Sequence, residues 1–387
     1  MRRLRKRRFS SPKRSKTVPN RRRIAAALFA ALAALSLSCG ARTLTDETGA
    51  KVEVPERVSR VAVTNIYPLA SALTVYLGDG RAVAGMAPAS YAAAEHGLLG
   101  RLYPDVLKAD RSYMRGASLS VEALAALKPD LVLVNARDRR MAEAVRRAGL
   151  PAYGISAVSH GYDVMDTLEA WMKDFAEIWP EKAERSKAII ARARGVEKAV
   201  AARTASVPAE KRVRVLYIVR AENGRIVTSG KRFFGEYWCR AAGAVNAASY
   251  LDAENMNAVL TAEDVYAADP DVIFITNFTP AQPADLAKAG FAGGDLRNLR
   301  AVKAKRVYKM PLGIYRSFTP SADAPLTLLW TAKTLYTERF EDIDLRAEAK
   351  RWYAEMYGAE LSDEEAAKIF SPSSEAGKMS AKVLSGE

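Results

Sequence analysis

The chain has 387 residues, with 59 Lys or Arg against 44 Asp or Glu and a formal charge of +15. That length is more than one ordinary core and points to about two domains, while an apolar fraction of 49% excludes large-scale disorder. The charge is local: twelve Lys or Arg and no acid fall between Arg2 and Arg23, and the remainder carries 47 basic against 44 acidic residues, which excludes a nucleic-acid backbone as the main partner.

The basic run leads into an uncharged apolar stretch from Ile24 to Ser38, followed by Cys39-Gly40-Ala41. A positive segment, a short apolar segment and small residues describe a secretory signal over residues 1–41. The apolar stretch is short for a membrane span, which needs about twenty residues. The basic segment is long for a signal, and Val18 is an alternative start. Cys39 leaves two outcomes open. Small Ser38 before it suits lipidation, although Ser36 stands where a lipobox has Leu; cleavage after Ala41 instead removes the cysteine. The expected location is periplasmic or cell-surface, with a lipid anchor in the first case. Cys239 is then without a partner, so no disulfide framework is expected, and it reads as a small buried hydrophobe.

After the leader, Thr43 to Val54 alternates around Thr48-Gly49 as a hairpin does. A buried strand follows, ending at Asn65, and strands then alternate with helices to about residue 160, the rhythm of a parallel sheet covered by helices. Residues 161–206 are helical in pattern, with Leu168, Met172, Phe175 and Trp179 on one face. Pro180 is the place for a kink or restart, and an unbroken helix would span on the order of 60 Å. Strand–helix alternation resumes over 207–345, and residues 346–387 are helices with a frayed tail. The expected plan is thus lobe (42–160), linking helix (161–206), lobe (207–345).

Two stretches repeat without a gap at an offset of 141: SVEALAALKPDLVLVN from Ser120 and TAEDVYAADPDVIFIT from Thr261. Each is a helix with a Ser or Thr cap, a Pro-Asp turn and a buried strand. Glu122 and Glu263 stand at the same place in the first helical turn, where the helix dipole favours an ionised carboxylate.

The hairpin opening TDETGAKVEVPERVSRVAV, the paired stretches and the central helical run resemble the periplasmic binding proteins of ABC importers, of the helix-linked type that serves ferric siderophores, haem and cobalamin. The resemblance spans about Arg42 to Gly358. It implies an α/β fold of two Rossmann-like lobes joined by a single long α-helix, with the ligand cleft between them. It also implies an extracytoplasmic, monomeric receptor that captures an iron(III)-siderophore or related metal chelate, with haem or cobalamin as alternatives. No catalytic residue and no resident cofactor are implied. Its partners would be a permease dimer and the cytoplasmic ATPase, with Glu122 and Glu263 docking in Arg pockets of the permease.

Ligands of such folds sit beyond the carboxyl ends of the strands. The loops there offer Asn65, Ile66 and Tyr67, then Ser90 and Tyr91, Asn135 and Arg137, Arg220, Asn277 and Phe278, and Leu312, Tyr315 and Arg316. Tyr113 and Arg115 precede the first twin helix, and Phe234 lies in KRFFGEYW. From these the expected ligand-binding set is Tyr67, Tyr91, Tyr113, Arg115, Arg220, Tyr315 and Arg316, since aromatics suit the faces of a planar chelate and guanidinium suits its oxygens. Only His96 and His160 are present, too few for a bare zinc or manganese site. For haem, Tyr67, Tyr91 or Tyr315 is a candidate axial ligand. An exported two-lobe enzyme is the rival reading, but no G-x-G-x-x-G after a strand, P-loop or G-x-S-x-G elbow supports it.

Overall fold

The computed structural model describes residues 40–222, 224–375 and 377; Cys39 and the leader lie outside them. Near the start, β1 (Ala41–Thr45) and β2 (Lys51–Pro55) pair as the expected hairpin. The short apolar runs that follow become β3 (Val61–Val63) and β4 (Val83–Gly85), a two-residue ladder of β5 (Met114–Arg115) with β6 (Ser118–Leu119), then β7 (Leu131–Asn135) and β8 (Ala152–Ile155). β3, β4, β7 and β8 form a parallel sheet in the order β4-β3-β7-β8.

The second half contributes β9 (Arg214–Ile218), β10 (Arg220–Glu222), β11 (Arg225–Val227), β12 (Val245–Asn246), β13 (Val259–Leu260), β14 (Val272–Ile275) and β15 (Val307–Lys309). Four of these make a second parallel sheet, β12-β9-β14-β15. Both sheets therefore share one topology: within each, the strands run second, first, third, fourth in chain order. β10, β11 and β13 add a small antiparallel sheet to the second lobe only.

The helical run over 161–206 is two helices, Val164–Ile178 and Ala183–Thr204, folded back on each other. Proline explains the reversal. Pro180 has no N–H to donate, and Trp179 before it leaves helical geometry (φ −124°, ψ 72°). Arg194 then reaches back to Glu169 at 2.9 Å, and the Ser186 hydroxyl donates to the Met172 carbonyl. The first helix belongs to the N-terminal lobe: Trp171 Nε1 donates to the Ser156 carbonyl (2.7 Å), Trp179 Nε1 to that of Val58 (3.0 Å), and Phe175 packs on Tyr76. Of this run, the 22 residues of Ala183–Thr204, about 33 Å of helix, join the lobes.

The C-terminal segment ties the lobes a second time. Arg101 pairs with Glu365, the Tyr103 hydroxyl donates to the Tyr357 carbonyl (3.2 Å), and Arg185 donates to that of Met356 (2.7 Å). Its hub is Asp323, fully buried, which accepts from the Ile314 N–H (2.8 Å) and from the hydroxyls of Tyr353 (2.9 Å) and Tyr357 (2.7 Å). Position 313 must be glycine, because a Cβ there would overlap the Asp323 carboxylate. Two lobes bound by a helix on one side and by this hub on another have little freedom to hinge.

The hairpin opening has a structural role. Its turn docks on the edge of β8, where Asp46 Oδ2 accepts from Gly154 N (2.9 Å) and Glu47 N donates to Gly154 O (3.1 Å). Behind it Glu47 faces Asp174, which accepts from the Tyr153 hydroxyl (3.0 Å), with Asp46, Glu177 and His160 nearby. Burial, then the Asp174 charge, pushes the Glu47 carboxyl well above the usual range; burial likewise raises Asp174. A raised carboxyl favours the folded state while it holds its proton. This contribution is full below the ordinary glutamate value of 4.5 and is lost as pH climbs from there through the raised folded value. Glu47→Gln is therefore expected to stabilise the protein by an amount that grows between pH 5 and 8.5, read by urea unfolding. Parallel stability profiles for the two proteins would contradict this.

Candidate functional site

In a parallel sheet the loops at the carboxyl edge are the ones free to meet a ligand, and the two sheets present those edges to a common cleft. From the first lobe come Asn65, Ile66, Tyr67 and Pro68 after β3, Asn135 closing β7, and Ala157 and Val158 after β8. The second lobe contributes Val219, Phe233, Phe234 and Phe278, and the rim is completed by Asn255, Met256 and Thr319. Together they enclose a cavity of about 200 Å³. None of these lining residues is charged.

Polar groups behind the wall hold it in place. The Thr276 hydroxyl donates to the Val219 carbonyl (2.8 Å), joining the ends of β14 and β9. Lys309 is buried and donates to three carbonyls, of Thr276 (2.8 Å), Thr279 (2.7 Å) and Ala281 (2.7 Å), pinning the loop that carries Phe278. Burial lowers the Lys309 ammonium to about 7. A more open depression of about 630 Å³ lies at the opposite, amino-terminal edge of the first sheet, beside Val58, Ser59, Asp79 and Arg81. Its Arg81 and Asp79 satisfy each other at 2.8 Å.

The residues expected at the ligand separate into distinct places. Tyr67 is on the cavity wall, and burial raises its hydroxyl. Tyr91 is off the wall, its ring 3.9 Å beneath the Arg111 guanidinium. Tyr113 is fully buried beneath the first sheet, where its hydroxyl donates to the Val63 carbonyl and its ring lies against Gly85. Arg115 is exposed on β5, and Arg220 is half-buried on β10. Tyr315 and Arg316 are fully buried behind the wall. Arg316 donates through Nε to Asn277 O (3.0 Å) and through Nη1 to Ala89 O (2.9 Å), so one guanidinium stitches the two lobes together. The rings of Phe278 and Tyr315 lie 5.3 and 5.5 Å from it.

Several wall residues were outside the expected set. Asn65, Ile66, Asn135, Phe234 and Phe278 stand in the expected loops, whereas Phe233, Asn255, Met256 and Thr319 carry no local signal beyond the doubled Phe. The two histidines are apart: His96 neighbours Glu95 and His160 neighbours Glu47. Among the described residues no group of three or more His, Cys, Asp or Glu is placed to hold a metal ion. Cys239 is buried, and burial raises its thiol.

The twin stretches are structural duplicates in detail. Ser120 accepts from Ala123 N (3.3 Å), and Thr261 forms a reciprocal cap with Asp264. Both helices end on a left-handed residue, Lys128 (φ 48°) and Asp269 (φ 37°). The Asp of each Pro-Asp turn then accepts from the backbone that opens the first strand of its sheet: Asp130 from Arg60 N (2.8 Å) and Asp271 from Arg214 N (2.8 Å). Those same arginines return to cap the helix, Arg60 on Leu127 O (2.7 Å) and Arg214 on Ala268 O (2.8 Å). Arg60 and Arg214 thus belong to the motif although they lie far from it in sequence. A helix that feeds a parallel strand runs against it, so both helix starts, with exposed Glu122 and Glu263, lie on the cleft side of the molecule.

The model of the family described as periplasmic binding protein matches residues 103–312. The chain belongs to this family. This periplasmic binding protein is 27% identical over 358 residues to the molybdate-binding protein MolA of Haemophilus influenzae, covering 87% of this chain and 97% of MolA. The solved structure of MolA bound to molybdate superposes with a TM-score of 0.68 at 25% identity, over 83% of this chain and 99% of that one. A periplasmic solute-binding protein from Veillonella parvula superposes with a TM-score of 0.76 at 25% identity, over 88% and 100%. The protein is accordingly a non-enzymatic solute-binding component of an ABC importer, with a permease and ATPase as its partners.

Proposed function

We propose that this binding protein captures a metal chelate of the iron(III)-siderophore class outside the cytoplasm and hands it to an inner-membrane permease. The character of the cavity carries the reading. Tyr67, Phe233, Phe234, Phe278 and Met256 offer an organic surface, with Asn65, Asn135 and Thr319 as polar groups among them. Such a wall suits the organic shell of a chelate, whereas a bare metal ion needs imidazole or carboxylate ligands. Haem fits the same argument, with Tyr67 as the wall tyrosine able to ligate iron. An oxyanion is a second reading, supported by the likeness to MolA and by the neutral polar groups of the wall.

Docking is assigned to Glu122 and Glu263, one per lobe and both exposed on the cleft side. The surface beside Glu263 supports this. The exposed large hydrophobics among the described residues are Val259, Tyr266 and Tyr250, and all stand near it, Tyr250 within electrostatic reach of Asp264. An acidic point rimmed by apolar side chains suits a protein partner. A lipid on Cys39 would keep the receptor at the membrane.

Titrating residues 42–387 with a ferric catecholate, a ferric hydroxamate, haem and molybdate tests the cargo class. The proposal expects the thermal midpoint to rise with a ferric chelate; a rise with molybdate alone would replace it with the oxyanion reading.

A further inference from the structure

One carboxylate crosses the mouth of the cleft. Glu254 projects from the loop between β12 and β13, and its Oε1 accepts from Arg137 Nη1 at 2.9 Å and from the Tyr162 hydroxyl at 2.7 Å. Both donors come from the opposite lobe, and Arg232 adds a second positive charge nearby. The position adjoins the cavity. Asn255 and Met256, next in the chain, are wall residues; so is Asn135, whose Oδ1 accepts from Arg137 N (3.0 Å). The Tyr162 ring meets Phe233 and Phe234 edge-on, at 5.9 and 5.4 Å.

Tyr162 is the anchored member of the three. Tyr162 is buried between those rings, whereas Arg137 stands two residues beyond β7 with its side chain 53% exposed. Glu254 sits in a loop with a side chain 34% exposed, next to Asn255, whose left-handed φ of 58° is one that asparagine tolerates. The hydrogen bonds from Tyr162 and Arg137 hold the Glu254 carboxyl below its usual range, so it is ionised at any physiological pH.

We infer that Arg137 and Tyr162 form a subsite for an anionic oxygen of the cargo, with the Glu254 carboxylate as an internal occupant that the cargo displaces. This rests on the reading of the adjoining cavity as the cargo site. Exchanging one carboxylate or catecholate oxygen for another at the same guanidinium and hydroxyl costs little electrostatically, because the donors stay paired throughout. Apolar contact in the cavity then supplies the preference for cargo over Glu254. A neutral ligand leaves Glu254 in place and gains nothing from the subsite, so the arrangement selects for anionic chelates.

Formate is the probe, because it carries the anionic oxygens without a body to fill the cavity. Glu254→Ala in residues 42–387 is expected to bind formate about tenfold more tightly than the wild type, read by thermal midpoint and by the NMR linewidth of formate. Adding Arg137→Gln is expected to erase that gain. Glu254→Gln preserves the size of the side chain and is expected to give the same ordering with a smaller gain. Equal formate binding by wild type and both Glu254 variants, or a gain that survives Arg137→Gln, would overturn the inference. Neither cargo nor permease enters this measurement, so failure to transport a chelate and failure of the subsite are read separately.

Discussion

Reversing both charges proposed to dock on the permease, Glu122→Arg with Glu263→Arg, is expected to abolish uptake in cells while changing the affinity of the purified protein by no more than about twofold. The two glutamates are surface residues in the first turns of short helices, and neither lines the cavity. Their removal therefore costs the fold little; what changes is the surface presented to the permease. Opposed charges at a docking point attract and orient a partner, and like charges repel it, so a reversal does more than a truncation. On the docking proposal each single reversal should leave partial uptake, because the other contact remains. Uptake assays paired with titration of purified protein distinguish docking from binding. Normal uptake by the double variant would remove both residues from the permease interface.

Arg316→Met is expected to destabilise the protein by about 2–4 kcal/mol and to weaken cargo binding without any direct contact. Two effects oppose each other. Removing a fully buried guanidinium recovers its desolvation cost, the same burial that lowers its pKa. Against this, the Asn277 carbonyl loses its donor and the Ala89 carbonyl keeps only its partner within the helix Pro88–His96, and a stranded buried acceptor costs about 1–3 kcal/mol. Methionine fills much of the volume but donates nothing, so the second effect wins. Because those two carbonyls belong to different lobes, and Asn277 precedes the wall residue Phe278, the loss loosens the cavity as well as the fold. Urea unfolding and cargo titration of the variant measure the two consequences. Unchanged stability would show that the buried arginine is no lobe-to-lobe tie.

Much of the architecture is legible in the sequence, for physical reasons. Strand–helix alternation follows from apolar runs of four or five residues separated by amphipathic segments, a local property. The twin Pro-Asp turns were visible as a duplication, yet their partners Arg60 and Arg214 lie 70 and 57 residues upstream of Asp130 and Asp271 and emerge only when strand and turn are brought together. Pro180 was a marked break, but whether the chain kinks or reverses there depends on what the apolar face of the preceding helix packs against, here Tyr76, Val58 and Ser156.

The site was less legible because a loop residue's orientation is set by the opposite lobe. Tyr67 and Tyr113 look alike in sequence, but one faces the cleft and the other donates beneath the sheet to Val63. Arg316 was expected to face an anion because arginine rarely sits among apolar neighbours unpaired. Its acceptors include two backbone carbonyls, which no side-chain pattern announces.

Isothermal titration of residues 42–387 with a ferric chelate, followed by mass spectrometry of the recovered ligand, tests the central claim most directly. The receptor reading predicts saturable binding of one chelate per protein, weakened when Phe234 is replaced by a charged residue such as aspartate, and a ligand recovered chemically unchanged. No saturable binding of any metal chelate, or a ligand returned as a different compound, would contradict it.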